Sequence, residues 1–380
     1  MSIKGKVAIV GVAESDSWYA PDLSPVDMMA KVAKRALDEA GIDKSEVDGL
    51  FSASSYYYMS TLTLGEYLGI VPRYTDSTSI GGSSFVSHLL HAAAAISAGL
   101  CNVALICYGS TQRSDSGKVT SLSEKNPFEE PFGLLYPLGS YALAARRHMA
   151  QYGTTSEQLA EVAVAARKWA MLHPKAFMRE PITIQDVLNS PMVSSPLHKL
   201  DCCLVTDGAG AVVLTSAERA RSLKQKPVYL LGVGESHFHR WISSMPDLTE
   251  TAAKLSGEAA YKMAGVTPSD VDLVMLYDAF TINVILFLED LGFCPKGEGG
   301  AFVTNGRIAP GGELPVNTNG GGLSYCHPGM FGIFLIIEAV RQLRGEAGER
   351  QLRKCDIALV HGNGGTLSSQ TTAILSKEPS

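Results

Sequence analysis

The sequence predicts an α/β protein built from two copies of one βαβ-rich unit. Two observations carry this: the chain matches itself in several places taken in the same order, and strand-like apolar runs alternate with amphipathic helices. Residues 7–15, VAIVGVAES, match residues 228–236, VYLLGVGES. Each is a short apolar run ending in a glycine-bearing turn, the pattern of a buried strand leaving a sheet. Residues 40–50, AGIDKSEVDGL, match residues 264–274, AGVTPSDVDLV. In both, a helix stops at glycine (Gly41, Gly265), a Ser-x-x-Asp cap follows and a new apolar run begins. The helix before Gly41 places Met28, Met29, Val32, Ala33 and Leu37 on one face and Lys31, Lys34, Arg35 and Asp38 on the other. In the third match, Gly81-Gly82-Ser83-Ser84 opens an apolar helix followed by VALICYGS at 103–110. Its counterpart is His327-Pro328-Gly329, opening a helix followed by IALVHGNG at 357–364. Strands alternating with helices imply mostly parallel sheets covered on both faces. The halves fall at residues 1–224 and 225–380.

Between the matched units lies an insertion at about residues 111–200. It contains a polar stretch from Thr111 to Glu130, an alanine-rich helix from Ser140 to Gln151, and the segment REPITIQDVLNSPMVSSPL. Such a segment serves either as a loop region over a substrate site or as a packed support.

Length and composition exclude several classes. At 380 residues the chain exceeds what one hydrophobic core usually fills. A net charge of −6 gives no basic footprint for nucleic acid. No run of about 18 apolar residues is present to span a membrane, and the first residues lack the apolar core of a secretory signal. Seven cysteines, an odd number scattered along the chain, do not form a disulfide framework, so a cytoplasmic protein is expected. Cys202 and Cys203 lack the second pair a zinc site wants, and His237 and His239 have no third ligand nearby, so no metal is expected. No GxxxxGK[ST] or GxGxxG occurs.

The blocks LDCCLVTDGAGAVVL (200–214), YDAF (277–280), CHPG (326–329) and HGNGG (361–365), in this order, resemble the thiolase superfamily over essentially the whole chain. The resemblance is to the branch of sterol-carrier-protein-like thiolases and their cysteine-less, lipid-transfer-type relatives. It implies the thiolase fold, with two βαβ-rich halves in a five-layer αβαβα arrangement and an inserted loop domain. The departures are informative. By resemblance, Gly81 stands where thiolases carry the nucleophilic cysteine and Gly362 where they carry the second, acid/base cysteine. Tyr277 replaces the Asn or His that opens the second block. His327 is kept, with Cys326 in place of the preceding glycine.

Without a thiolate no acyl-enzyme forms by the usual route. Ser83 and Ser84 are alternatives as nucleophiles but suit helix capping better; Cys326 is a further candidate and equally a small buried apolar residue. What survives is enolate chemistry. The resemblance implies an oxyanion hole from the backbone amides of Gly81 and Gly364, with His327 polarising the thioester carbonyl. Tyr277 and Tyr325 then handle protons in an aldol or retro-aldol step on a β-hydroxyacyl-CoA, a sterol side chain being one such group. Ser83, Asn317, Asn319, Asn363 and His361 are expected around the pocket, and Asp278 is expected to orient backbone. Arg146, Arg147 or Arg179 would meet the nucleotide end of coenzyme A, which is part of the substrate; no separate cofactor is expected. Two other readings remain: an acyl-CoA acyltransferase of the acetyl-CoA acetyltransferase type, and a non-catalytic acyl-CoA or lipid carrier or scaffold subunit. The resemblance also implies a homodimer and a small companion protein with an OB-fold and zinc ribbon.

Overall fold

The computed structural model describes residues 3–115 and 126–379. The first half runs β1 (Val7–Glu14), α1 (Pro25–Ala40), β2 (Gly49–Phe51), α2 (Ser60–Leu68), β3 (Tyr74–Asp76), α3 (Ser84–Ser97) and β4 (Val103–Ser110). The insertion follows with α4 (Leu138–Tyr152), α5 (Ser156–Met171), α6 (Ile184–Asn189) and the hairpin β5 (Met192–Ser194) and β6 (Leu197–His198). β7 (Gly208–Ser216) and the single turn α7 (Ala217–Ala220) close this half. The second half runs β8 (Val228–His237), α8 (Ala253–Ala264), β9 (Leu273–Leu276), α9 (Thr281–Asp290), α10 (Gly299–Phe302), α11 (Gly332–Arg344), β10 (Ile357–Gly364) and β11 (Ser369–Ser376). Residues 116–125, half of the expected polar stretch, lie outside the described residues.

The strand order is β3-β2-β4-β7-β1-β8-β11-β10-β9. The mostly parallel sheet expected is not found: among the described residues only β3-β2, β2-β4 and β10-β9 pair parallel, because β7 and β11 return antiparallel between the other strands. The order is a palindrome: counted outward from the centre, β1, β7, β4 and β2 correspond to β8, β11, β10 and β9. Beyond β9 an isolated parallel bridge, Val274 to Val316, stands where β3 lies beyond β2. The halves join where β1 meets β8 through two residue pairs, Ala8 with Tyr229 and Ile9 with Val228. Helix α1 packs on β1, β7 and β4, and α8 on β8 and β11, while α3 and α11 touch strands of both halves. The layers are therefore outer helix, half-sheet, central helices, half-sheet, outer helix, as the five-layer expectation has it.

The paired glycines have a packing reason. A Cβ on Gly11 of β1 would fall 2.0 Å from the carbonyl oxygen of Ala36 in α1, and one on Gly232 of β8 would fall 2.3 Å from that of Ala260 in α8. Each outer helix lies directly on its strand's backbone, and only glycine permits that approach. Helix α1 is bounded by a capping box between Ser24 and Asp27 and by Gly41 in the left-handed region at φ 70°. The cap expected in the second match sits two residues earlier in both copies. It is a box of Asp43 with Glu46 and of Thr267 with Asp270, each around a short 3₁₀ turn. The aspartates expected to cap do another job. Asp48 accepts the amides of Asn102 and Val103 at 2.7 and 2.9 Å, and Asp272 those of Asp356 and Ile357 at 2.8 and 3.2 Å. Each copy thus uses one carboxylate to register the strand that follows its central helix.

Central helix α11 carries a buried ion pair. Arg350 donates to both oxygens of Glu338 at 2.9 to 3.1 Å, and Thr318 and Gln342 complete that carboxylate at 2.7 and 3.1 Å. Removing one partner strands a buried charge, so Glu338→Ala is expected to lower stability by about 3–5 kcal/mol. The Glu338→Leu/Arg350→Met pair should recover much of that loss. Urea unfolding followed by tryptophan fluorescence checks both, and a double variant no better than the single one counts against the account.

Candidate active site

Two turns meet at the heads of the central layer. One precedes α3 (residues 80–84); the other ends β10 (residues 362–365). A Cβ on Gly81 would lie 2.7 Å from the Gly365 nitrogen and 2.8 Å from the Gly364 Cα, and Gly81 has φ 79°. A Cβ on Gly364 would fall 1.7 Å from the Ile80 carbonyl oxygen, and one on Gly362 2.9 Å from the Ser83 Cα. Neither turn has room for a side chain at these positions, a cysteine included. The serines brace this contact instead of capping α3, which has no side-chain cap. Ser84 Oγ donates to the Gly81 carbonyl at 2.7 Å and accepts the Ile80 amide at 3.0 Å. Ser83 Oγ reaches the Ile80 carbonyl at 3.1 Å and Ser369 Oγ at 2.7 Å. Neither hydroxyl is paired with a base, so both are structural here.

One position further on, the turn opens toward other groups. A Cβ on Gly82 would land 2.1 to 2.6 Å from ring and hydroxyl atoms of Tyr277. Unlike at Gly81, a side chain added at Gly82 would run into the phenol of Tyr277, which fills that space. Tyr277 OH is 3.0 Å from His327 Nε2 and accepts the Phe331 amide at 3.2 Å. Whichever imidazole tautomer is present, the two groups share one proton. Burial lowers the His327 pKa to about 4 and raises that of Tyr277 well above the ordinary phenol value. At neutral pH the pair is uncharged.

The loop bearing His327 is held from three sides. The His327 amide donates to Thr206 Oγ1 at 3.0 Å, and its carbonyl accepts the Thr206 amide at 3.2 Å. Tyr108 OH donates to the Pro328 carbonyl and accepts the Met330 amide at 3.0 Å. Helix α11 begins only at Gly332, not at Pro328 as expected, because residues 327–331 are committed to these bonds. Before the loop, Asp278 accepts the amides of Gly322 and Leu323 at 2.6 and 3.3 Å and so holds a π-helical turn, Gly321–Tyr325. Burial raises the Asp278 pKa to about 7. Its role is to orient backbone, as expected.

Tyr325 is not brought to His327. It ends the π-helical turn with its ring 4.9 Å from Trp18 and 4.5 Å from His173, and its carbonyl accepts the Phe177 amide. That anchoring turns it to the other side of the chain. Asn317 Oδ1 accepts the Leu276 amide at 2.7 Å and Asn319 Oδ1 the Gly321 amide at 2.9 Å, so both shape backbone beside the site. His361 is satisfied by Thr372 at 2.9 Å and Gln370 at 2.8 Å, and Gln370 also holds Asn363 at 2.9 Å. Arg146, Arg147 and Arg179 are exposed; Arg179 donates to the Met171 carbonyl at 3.1 Å. His237 bonds Glu235 at 2.9 Å and His239 the Thr366 carbonyl at 3.0 Å. Among the described residues no cluster of three His, Cys, Asp or Glu could hold a metal ion. All seven cysteines are free, and burial pushes every thiol up, Cys101 to about 11 and Cys202 to about 12, so none is a ready thiolate. Cys202 and Cys203 precede β7 rather than lying within it, and the Cys203 amide pairs with the Ala279 carbonyl at 2.9 Å. Sequence reasoning missed Tyr108, Tyr141 and Thr206. Thr206 sits inside the quoted 200–214 block and Tyr108 at the end of a matched strand, whereas Tyr141 carries no motif.

A family model described as thiolase C-terminal domain-like matches residues 234–377. An acetyl-CoA acetyltransferase of Methanothermobacter thermautotrophicus is 34% identical over 98% of this chain and 99% of its own. A 17-hydroxy-3-oxo-4-pregnene-20-carboxyl-CoA lyase of Mycobacterium tuberculosis is 37% identical over 90% of this chain and 92% of its own. Among solved structures, an Ltp2-ChsH2(DUF35) aldolase superposes with a TM-score of 0.90 at 32% identity, covering 98% of both chains. With its palindromic five-layer fold, its glycine turns and its tyrosine and histidine in the matching blocks, the chain belongs to the thiolase superfamily, in the thiolase-like aldolase branch.

Proposed function

We propose that this chain is a carbon–carbon lyase that cleaves a β-hydroxyacyl-CoA by a retro-aldol step, with no covalent intermediate. One observation carries the reading: the space over Gly82 that a nucleophile's side chain would need is filled by the phenol of Tyr277, bonded to His327. Around it, neither turn holds a thiol and every cysteine is kept protonated by burial.

The chemistry follows from those groups. Amides at the contact of Gly81 with Gly364 and Gly365 would receive the thioester oxygen as it gains enolate charge; preorganised donors in a buried site are worth far more than in water. Tyr277 takes the β-hydroxyl proton while His327, on its far side, receives the phenolic one. The neutral, low-pKa imidazole of the resting site is the state such a transfer requires. The Cα–Cβ bond then breaks, leaving a carbonyl product and the enolate of the shorter acyl-CoA. The relative named as a pregnene-carboxyl-CoA lyase favours a bulky, sterol-like acyl group.

The acetyl-CoA acetyltransferase among the relatives favours a second reading, acyl transfer, which needs an acyl-enzyme that this site is poorly equipped to form. A carrier or scaffold would bind acyl-CoA without turnover. A companion chain is supported by the two-component name of the aldolase structure. Exposed Phe128, Phe132 and Leu135 in the insertion suit such a cover, and Tyr58, Met59, Leu62 and Val71, leading into edge strand β3, suit a homodimer. Among the described residues no helix is long and apolar enough to cross a membrane, and seven free cysteines suit a reducing, cytoplasmic setting.

Tyr277→Phe is expected to lower kcat by about 10²- to 10⁴-fold with little change in substrate affinity. Chromatography of the two products with a β-hydroxyacyl-CoA, run with and without a companion protein, measures it. Intact-mass spectrometry after incubation with an acyl-CoA should show no added acyl mass; a stable adduct would sink the lyase reading. Because His327 must be neutral and its pKa is lowered to about 4, cleavage should stay level from pH 7 down to about pH 5 and fall only on approaching pH 4. A fall centred on the ordinary histidine pKa near 6.5 would contradict the role given to His327.

A further inference from the structure

A retro-aldol step needs a second proton-handling group, since the enolate left after cleavage must be protonated at its α-carbon. Tyr325 faces Trp18 and His173 instead. A different tyrosine, from helix α4 of the insertion, stands at the two turns. The Tyr141 ring lies 4.5 Å from Phe280, the last residue of the block that Tyr277 opens. Its hydroxyl donates to the Gly365 carbonyl at 3.1 Å and accepts from Asn363 Nδ2 at 2.9 Å. Gly365 is the residue whose nitrogen would touch a Cβ on Gly81. The contact between the turns is thus bounded at Gly82 by Tyr277 and at Gly365 by Tyr141.

The surroundings of Tyr141 suit a group that gives up a proton. Asn363 is fixed with its amino group toward the phenol because its oxygen is taken by Gln370 at 2.9 Å, which is itself held by His361 at 2.8 Å. Asn283, on the first turn of α9, is fully buried, and neither atom of its amide has a hydrogen-bond partner among the described residues. It nevertheless lies near enough to Tyr141 to favour the ionised phenol, as Asn363 does, while burial opposes ionisation more strongly. With the Tyr141 oxygen beside it, that amide is placed to answer charge that develops there. At neutral pH the phenol is protonated, the state an acid needs, and the two amides meet its oxygen once the proton has gone.

We propose that Tyr141 protonates the α-carbon of the enolate, an assignment that rests on the lyase reading. The step balances: the β-hydroxyl proton passes to Tyr277 and His327, and the Cα–Cβ electron pair becomes the enolate. The Tyr141 O–H bond breaks as the new Cα–H bond forms. After the products leave, solvent returns the proton to Tyr141 and removes the one held by Tyr277 and His327. The reverse of the protonation is exchange of α-hydrogens in an acyl-CoA, which requires no carbon–carbon cleavage.

The test is α-deuterium incorporation into propionyl-CoA in D2O, followed by mass spectrometry, beside cleavage of a β-hydroxyacyl-CoA. The wild-type chain should exchange, and Tyr141→Phe should slow exchange by about 100-fold with its thermal midpoint retained. Incorporating 3-fluorotyrosine at position 141, which lowers the phenol pKa, should move the alkaline limb of the exchange profile to lower pH; a purely structural phenol would leave that limb in place. Exchange by Tyr141→Phe at the wild-type rate, an unmoved limb, or no exchange by the wild-type chain overturns the assignment. Wild-type exchange without cleavage would overturn the lyase reading alone, and cleavage with exchange indifferent to position 141 would overturn Tyr141 alone.

Discussion

The structure depends on a contact between two stretches of bare backbone. The turn before α3 and the turn after β10 approach so closely that a methyl group on Gly81 or Gly364 would overlap the opposite chain. That closeness bars any side chain from being planted there. The side chains proposed to act beside it come from farther away: Tyr277 just after β9, His327 from the loop before α11, and Tyr141 from the insertion. Side chains reaching in from three separate elements need to be held individually, which explains the density of hydrogen bonds to the 327–331 loop from Thr206, Tyr108 and Tyr277.

Burial sets the electrostatic character of the site. Desolvation lowers the pKa of His327 to about 4 and raises those of Tyr277 and of every thiol. Each group is driven to its neutral form, so the resting site holds almost no charge. An enolate developing there would be the dominant charge, and oriented amides and hydroxyls would respond to it without water to reorganise. A site that kept a thiolate would need a nearby cation or a helix terminus to stabilise it. His327 is uncharged at neutral pH and bonded to a phenol.

Much of the architecture was legible in the sequence because duplication writes the same physical demand twice. Gly11 and Gly232 align because each strand lies against a helix backbone, and Gly41 and Gly265 align because each helix ends in the left-handed region. Tyr277 and His327 were legible from the blocks that hold them. Local spacing failed where the decisive partner is distant in the chain. The Ser-x-x-Asp pattern reads as a cap, yet its aspartates register strands some 54 and 84 residues away. Tyr325 lies two residues from His327 and still faces elsewhere, since the π-helical turn pinned by Asp278 rotates it away. Tyr141 gave no signal at all, because its position is set by packing on Phe280 and by the amide of Asn363.

The junction of the half-sheets, only two residue pairs wide between β1 and β8, has a mechanical consequence. Nine strands count as one sheet, yet the ladder is too narrow there to transmit much stiffness from side to side. Rigidity across the molecule is carried by α3 and α11, which press on strands of both halves like a keystone between two leaning walls. A disturbance of the two inner helices would therefore reach both half-sheets at once, whereas α1 and α8 each rest on one half alone.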